Sequence, residues 1–289
     1  MHAPYPCSAG IARPRTAAPE GACDCHIHVY DARYPATPGA RLQPPDASAA
    51  QYRDIQARLG TQRAVLVTPS TYGADNRPML AGLAALGAQA RGVAVIDGSE
   101  SDARLAALHE AGVRGIRLNL SLGVLNTVAQ IAPLAARVAP LGWHVQLLMP
   151  PDTLAQHADL LGALPVPIVF DHLARIAPAQ AGRHPAHALV LRLLASGRAW
   201  IKLSGGYIVS AQHSVEDPGL DALAQGYIAA NPDQVVWGSD WPHATARAGL
   251  QPMPDDARQF DRLAHWAGNA GALRRILVHN PAALYGFPA

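Results

Sequence analysis

The chain has 289 residues with 23 Lys and Arg against 21 Asp and Glu, which is length enough for one large core, and its scattered charges give no footprint for a nucleic-acid backbone or an anionic membrane. No stretch approaches the roughly 18 consecutive apolar residues of a membrane span, and Pro4, Pro6, Pro14 and Pro19 interrupt the segment where a signal-peptide core would lie. The expectation is a soluble, cytoplasmic protein, a monomer or small homo-oligomer, that binds neither nucleic acid nor membrane.

In chain order, residues 1–20 show neither helical nor strand periodicity and read as a poorly ordered arm with no chemistry, leaving 21–289 as one folded unit. From residue 22 onward, short apolar or β-branched runs alternate with longer stretches of helical period. Strands are predicted over 22–29, 63–69, 91–97, 115–120, 143–149, 167–172, 199–205 and 234–241. Helices are predicted over 49–59, 76–89, 101–111, 127–141, 152–161, 185–196 and 217–230, with 255–267 and 270–277 covering the last strand. Asn280 before Pro281 reads as a helix cap. Eight strands, each followed by a helix, predict a single-domain (β/α)₈ TIM barrel, of the α/β class. A doubly wound sheet is disfavoured, because no Gly-x-Gly-x-x-Gly follows the first strand.

Side chains alternate along a strand, so polar residues of inward parity near a strand's C-terminal end should reach a barrel's site. On the first strand that parity groups Asp24, His26 and His28, and assigns Cys23, Cys25 and Ile27 to the helix side. Arg117 and Asn119 share the inward face of the fourth strand, His144 and Gln146 that of the fifth, and Lys202 and Ser204 that of the seventh. The sixth strand offers His172, set opposite Val169 and Asp171, and the eighth offers Asp240. Ser70 and Thr71 follow the second. Barrel interiors favour bulky aliphatics, so this many polar groups at the strand ends points to a site.

The run Asp24-Cys25-His26-Ile27-His28, with Phe170-Asp171-His172 and Trp237-Gly238-Ser239-Asp240-Trp241-Pro242-His243, resembles the amidohydrolase superfamily across nearly the whole chain. Val29-Tyr30-Asp31, the Ser-Asp-Trp-Pro-His run and the closing Asn280-Pro281-Ala282-Ala283-Leu284-Tyr285-Gly286-Phe287 are most similar to the amidohydrolase family 2 branch containing 2-pyrone-4,6-dicarboxylate lactonase. The resemblance implies a distorted barrel, chemistry on a carboxylated lactone, and Asp240 as the general base. Arg117 and Asn119 stand on the fourth strand, where two-metal members carry Lys or Glu, and His144 lies one pleat too early. The resemblance therefore implies no required metal. The alternative is a single zinc or manganese ion held by His26, His28 and Asp240.

Lactone hydrolysis needs a base, donors at the carbonyl oxygen and an anchor for the ring. The expected catalytic residues are Asp240 as base with His26, His28 and His172 as donors. Arg117, Ser70 and Thr71 anchor a substrate carboxylate, because a guanidinium binds one in bidentate fashion. Asn119, Gln146, Lys202, Arg175, Tyr207 and His243 complete the substrate-binding set. The expected partner is a small anionic lactone or carboxylic acid. Competing readings are a sugar-acid lactone isomerase, a metal-dependent decarboxylase, and an idle barrel that binds an acidic small molecule.

Overall fold

The structure is a computed structural model describing residues 5–121 and 125–288. Residues 1–4 of the expected arm, and 122–124 and 289 of the expected barrel, lie outside the described residues. Eight parallel strands are laid down in chain order: β1 (Cys23–Ile27), β2 (Arg63–Val67), β3 (Ala90–Ala94), β4 (Val113–Asn119), β5 (His144–Leu148), β6 (Ile168–Phe170), β7 (Ala199–Leu203) and β8 (Val235–Trp237). Each pairs with its neighbours in the order β1-β2-β3-β4-β5-β6-β7-β8. The ring closes between β8 and β1 where Asp240 N–H donates to the His26 carbonyl at 2.9 Å and His28 N–H to the Trp241 carbonyl at 2.8 Å. The fold is a single-domain (β/α)₈ barrel, and among the described residues no helix is long and apolar enough to cross a membrane.

Helices pack their apolar faces on the outside of the ring. The helix Ala49–Leu59 starts at a Ser48 capping box with Gln51 and buries Tyr52, Ile55 and Leu59, so two orphan N–H groups are satisfied by side chains and its apolar stripe meets the strands. The stretch predicted as one helix over 152–161 is two, Pro151–Gln156 and Ala158–Gly162. Asn280 is not a cap. It lies inside continuous helix, after a π-turn over Arg275–His279, and its Nδ2 donates to the carbonyls of Pro232 and Val235. It thereby ties the C-terminal helix to the start of β8. Tyr285 at the end of that helix and Phe287 just beyond it pack against the barrel interior.

Two parity assignments are corrected. Between Asp24 and Ile27 the β1–β2 register shifts, so strict alternation fails. Cys23 and Cys25 pack inside the barrel with Val65, Val67, Val93, Val169 and Val236, and Asp24 faces outward. Its carboxylate accepts from Tyr52 Oη at 3.1 Å, from Ser239 N–H at 2.9 Å and from Ser239 Oγ at 2.6 Å. Burial raises that carboxyl to about 6. On β6 it is Asp171 that points inward, and His172 reaches the site because the chain leaves the strand with φ +48°.

Residues 5–20 have no regular secondary structure but are bonded to the barrel. Trp241 Nε1 donates to the Pro6 carbonyl at 2.9 Å, and Arg58 donates to Ser8 Oγ at 2.8 Å and to Asp255 at 2.6 Å. The arm therefore lies beneath the segment that carries Asp240.

The seam between β8 and β1 leaves no room for a side chain at Gly238, where a Cβ would stand 2.5 Å from His26 Cβ and 2.7 Å from His26 N. Gly238→Ala should cost about 1–3 kcal/mol as overpacking, read from urea unfolding.

Candidate active site

Six of the expected residues converge from different strands at the C-terminal end of the barrel. His26 and His28 come from β1 and its continuation, Arg117 from β4, His172 from the turn after β6, Tyr207 from the helix Gly206–Val209 after β7, and Asp240 from the segment after β8. Asp240 adopts φ +68°, a left-handed conformation that a non-glycine residue holds only when its surroundings fix it. Its Oδ1 lies 3.7 Å from His26 Nε2, 3.8 Å from His28 Nε2 and 3.7 Å from His172 Nε2. Its Oδ2 accepts from Tyr207 Oη at 2.8 Å.

Beneath this layer lies Asp171, which the sequence reading passed over. Its carboxylate has no exposure to water. It accepts from Arg117 Nε at 2.9 Å and Gln146 Nε2 at 3.0 Å, and it faces His26 Nδ1 at 3.2 Å and Lys202 Nζ at 3.6 Å. Burial works against its charge, but His26, Lys202 and Arg117 outweigh it and hold the carboxyl well below its ordinary value. Gln146 and Lys202 were expected to touch substrate. The structure places both behind the cavity wall, bonded to each other at 2.7 Å. The signal that would have found Asp171 was its parity with Val169, read instead as helix-facing.

Burial of the imidazoles favours their neutral forms. His28 is lowered to about 4, by burial first and then by Arg117, and His26 and His172 are lowered by burial in the same direction. Asp240 is pushed up by burial, but its four histidine neighbours outweigh that and leave it lowered. His243 is raised, because Asp256 at 3.1 Å overcomes the burial that would lower it. His243 therefore faces Asp256 rather than the cavity, a further departure from the expected substrate contacts, as is Tyr207.

Tautomers follow from the partners. His28 Nδ1 lies 2.7 Å from the Val67 carbonyl, which can only accept, so the proton sits on Nδ1 and a lone pair on Nε2 faces the centre. Ser204 Oγ, 2.9 Å from His172 Nδ1, both donates and accepts, so two tautomers fit, and the one in which the serine donates carries its N–H on Nε2. His26 fits two arrangements. With its proton on Nε2 it donates to the His28 lone pair at 3.3 Å and accepts from Lys202 at 3.3 Å; with the proton on Nδ1 it donates to Asp171. In the second arrangement His26 Nε2, His28 Nε2 and Asp240 Oδ1 turn three lone pairs toward one point. Their separations of 3.3, 3.7 and 3.8 Å are near the roughly 3.4 Å edge of a tetrahedron built on ~2.0–2.1 Å zinc bonds. These residues fit one divalent cation, and His26, Asp171 and His172 form a second grouping of metal-ligand type.

Above the layer opens a cavity of about 280 Å³ lined by His28, Ser70, Thr71, Arg117, Asn119, His172, Arg175 and Asp240 among others. Thr71 Oγ1 donates to the Leu42 carbonyl and Asn119 Nδ2 to Ser70 Oγ. Tyr30, Ser121, Leu42, Ile208, Leu250 and Gln251 also line it, and none of them was among the expected site residues. Ile208 sits on the helix Gly206–Val209 and the others lie between elements, where strand parity carries no information.

Residues 23–287 match the family described as amidohydrolase. The chain is 34% identical to a 2-pyrone-4,6-dicarboxylate hydrolase of Comamonas testosteroni, over 96% of this chain and 94% of that protein. It is 31% identical to a 4-sulfomuconolactone hydrolase of Rhizobium radiobacter over 93% and 91%, and 30% identical to a D-galactarolactone isomerase of Agrobacterium fabrum over 94% and 93%. Among solved structures, a probable 2-pyrone-4,6-dicarboxylic acid hydrolase of Acinetobacter baumannii with citric acid bound superposes with a TM-score of 0.80, at 26% identity, over 92% of this chain and 100% of that one.

Because Asp171 is wholly buried and answers Lys202 and Arg117 together, Asp171→Asn should leave cations without their counter-charge. A loss of about 3–5 kcal/mol in urea unfolding is expected.

Proposed function

The chain belongs to the amidohydrolase family, and from that premise we propose that it is a hydrolase that opens a carboxylated lactone by base-activated attack of water on the ring carbonyl. The observation that carries the reading is the Asp240 carboxylate, held by Tyr207 on one oxygen and ringed by three imidazoles on the other. The lactone hydrolases among the relatives support it, and so does citric acid, a polycarboxylate, in the Acinetobacter structure.

In this reading Asp240 Oδ1 takes a proton from water as the water oxygen adds to the lactone carbonyl carbon. The carbonyl oxygen gathers negative charge and is met by His172 Nε2–H. Collapse of the tetrahedral intermediate breaks the ring C–O bond, and Asp240 returns its proton to the departing oxygen. His28 is not a donor to the substrate here, since its single proton is on Nδ1 and is donated to the Val67 carbonyl; its role is to accept from His26 or to ligate a cation. A divalent ion, when bound, would be held by His26, His28 and Asp240 and would supply further polarisation of the carbonyl. Arg117, with Ser70, Thr71, Asn119 and Arg175 around the same cavity, anchors the substrate carboxylate. The isomerase relative supports a second reading in which a substrate hydroxyl replaces water over the same base and donors.

Four outcomes test this. Turnover of carboxylated lactones, followed by acid release and isomer formation together, should give acid as the main product. It should persist in metal-stripped protein, since His172 donates to the carbonyl oxygen without an ion; activity returning only with zinc or manganese would make His26 and His28 ligands. Asp240→Asn should lower kcat by ~10²–10⁴ with little change in KM, whereas Arg117→Met should act chiefly on KM for carboxylated substrates.

A further inference from the structure

The turn after β6 is wound left-handed. His172, Leu173, Ala174 and Arg175 take φ values of +48°, +54°, +55° and +60° in succession, and each carries a Cβ that makes this conformation costly. The inner pair is held by the core: Leu173 and Ala174 are buried in it, and the Leu173 carbonyl accepts from Tyr227 Oη at 3.2 Å. The outer pair, His172 and Arg175, lines the cavity. A costly conformation that presents two cavity residues from one rigid turn points to a shared task.

Among the described residues, Arg117 and Arg175 are the cations of the cavity wall and Asp240 is its one acid. Arg117 is already answered, since its Nε donates to Asp171 at 2.9 Å. The Arg175 guanidinium has no hydrogen bond and no ion pair among the described residues. It lies within the field of the reacting groups all the same. Burial lowers it from its ordinary value and Asp240 counters that, while His172 is lowered by burial first, with Arg175 adding to it. Its charge thus acts on the base and on the carbonyl donor and is bonded to neither. We propose that Arg175 is the second donor to the lactone carbonyl oxygen, so that His172 and Arg175 together form the oxyanion site and Arg117 is left to the substrate carboxylate. The inference rests on the lactonase reading. A guanidinium beside a neutral carbonyl oxygen gains little, and beside an oxyanion sheltered from water it gains much, so its contribution belongs to kcat.

The test compares a neutral δ-lactone with the same ring carrying a carboxylate. Arg175→Met is expected to lower kcat by ~10²–10³ for both, with little change in KM, and Arg175→Lys to recover part of the loss. A carboxylated cyclic phosphonate, whose ring phosphorus bears the tetrahedral anion, and the carboxylated δ-lactam of the same ring serve as a non-reacting pair, titrated calorimetrically. The wild type should bind the phosphonate at least about tenfold more tightly than the lactam, and Arg175→Met should bring that ratio towards one. A loss in Arg175→Met confined to the KM of the carboxylated lactone, or a phosphonate preference that is absent in the wild type or unchanged in the variant, would overturn the proposal. If no lactone is turned over but the preference holds in the wild type and falls in Arg175→Met, the lactonase reading fails while the oxyanion site stands.

Discussion

A carboxylate placed where water cannot reach it must be answered by donors, and Asp171 recruits them from most of the barrel. His26 comes from β1, Arg117 from β4, Gln146 from β5 and Lys202 from β7, all to one side chain at the end of β6. In a low-dielectric interior each of these groups would be costly alone, and together they satisfy one another. The network therefore does two things at once. It fixes the relative height of five strands, and it sets the Arg117 guanidinium that lines the cavity and the His26 imidazole beneath it.

The second structural knot lies behind β1. Asp24 ties that strand to Ser239 and to Tyr52 of the helix Ala49–Leu59. Asp24 outward and His26 inward are possible on one short strand because the register shifts between Asp24 and Ile27. The arm adds a third layer by bonding Pro6 to Trp241, next to Asp240. With the His26 proton on Nε2, hydrogen bonds run unbroken from Lys202 through His26 and His28 to the Val67 carbonyl, while Asp171 Oδ1 is left with the Lys202 charge at 3.6 Å and no hydrogen bond.

Much of this could be read from the sequence because barrel strands are short, apolar and regularly spaced, and because His26, His28, His172 and Asp240 sit where those runs end. Arg117 and Lys202 were found by alternation, which holds along β4 and β7. Alternation failed at β1, where the register shift reverses Cys23, Cys25 and Asp24. It failed at β6, a three-residue strand whose following residue swings inward with positive φ. It placed Gln146 and Lys202 on the inward face without telling how deep they lie, so buried supports were mistaken for substrate contacts. The cavity-lining loop residues had no periodic signal at all.

Among the described residues, Arg117 alone both bonds Asp171 and lines the cavity. Among the described residues, Leu42, Leu250 and Gln251 line the cavity from loops and make no hydrogen bond to Asp171 or its partners. Changes in what these loops accept can therefore accumulate one substitution at a time, while a change at Arg117 must be accompanied by a new solution for a buried charge. Descendants of this chain should drift readily in the part of the ligand that meets the loops and keep the part that meets Arg117.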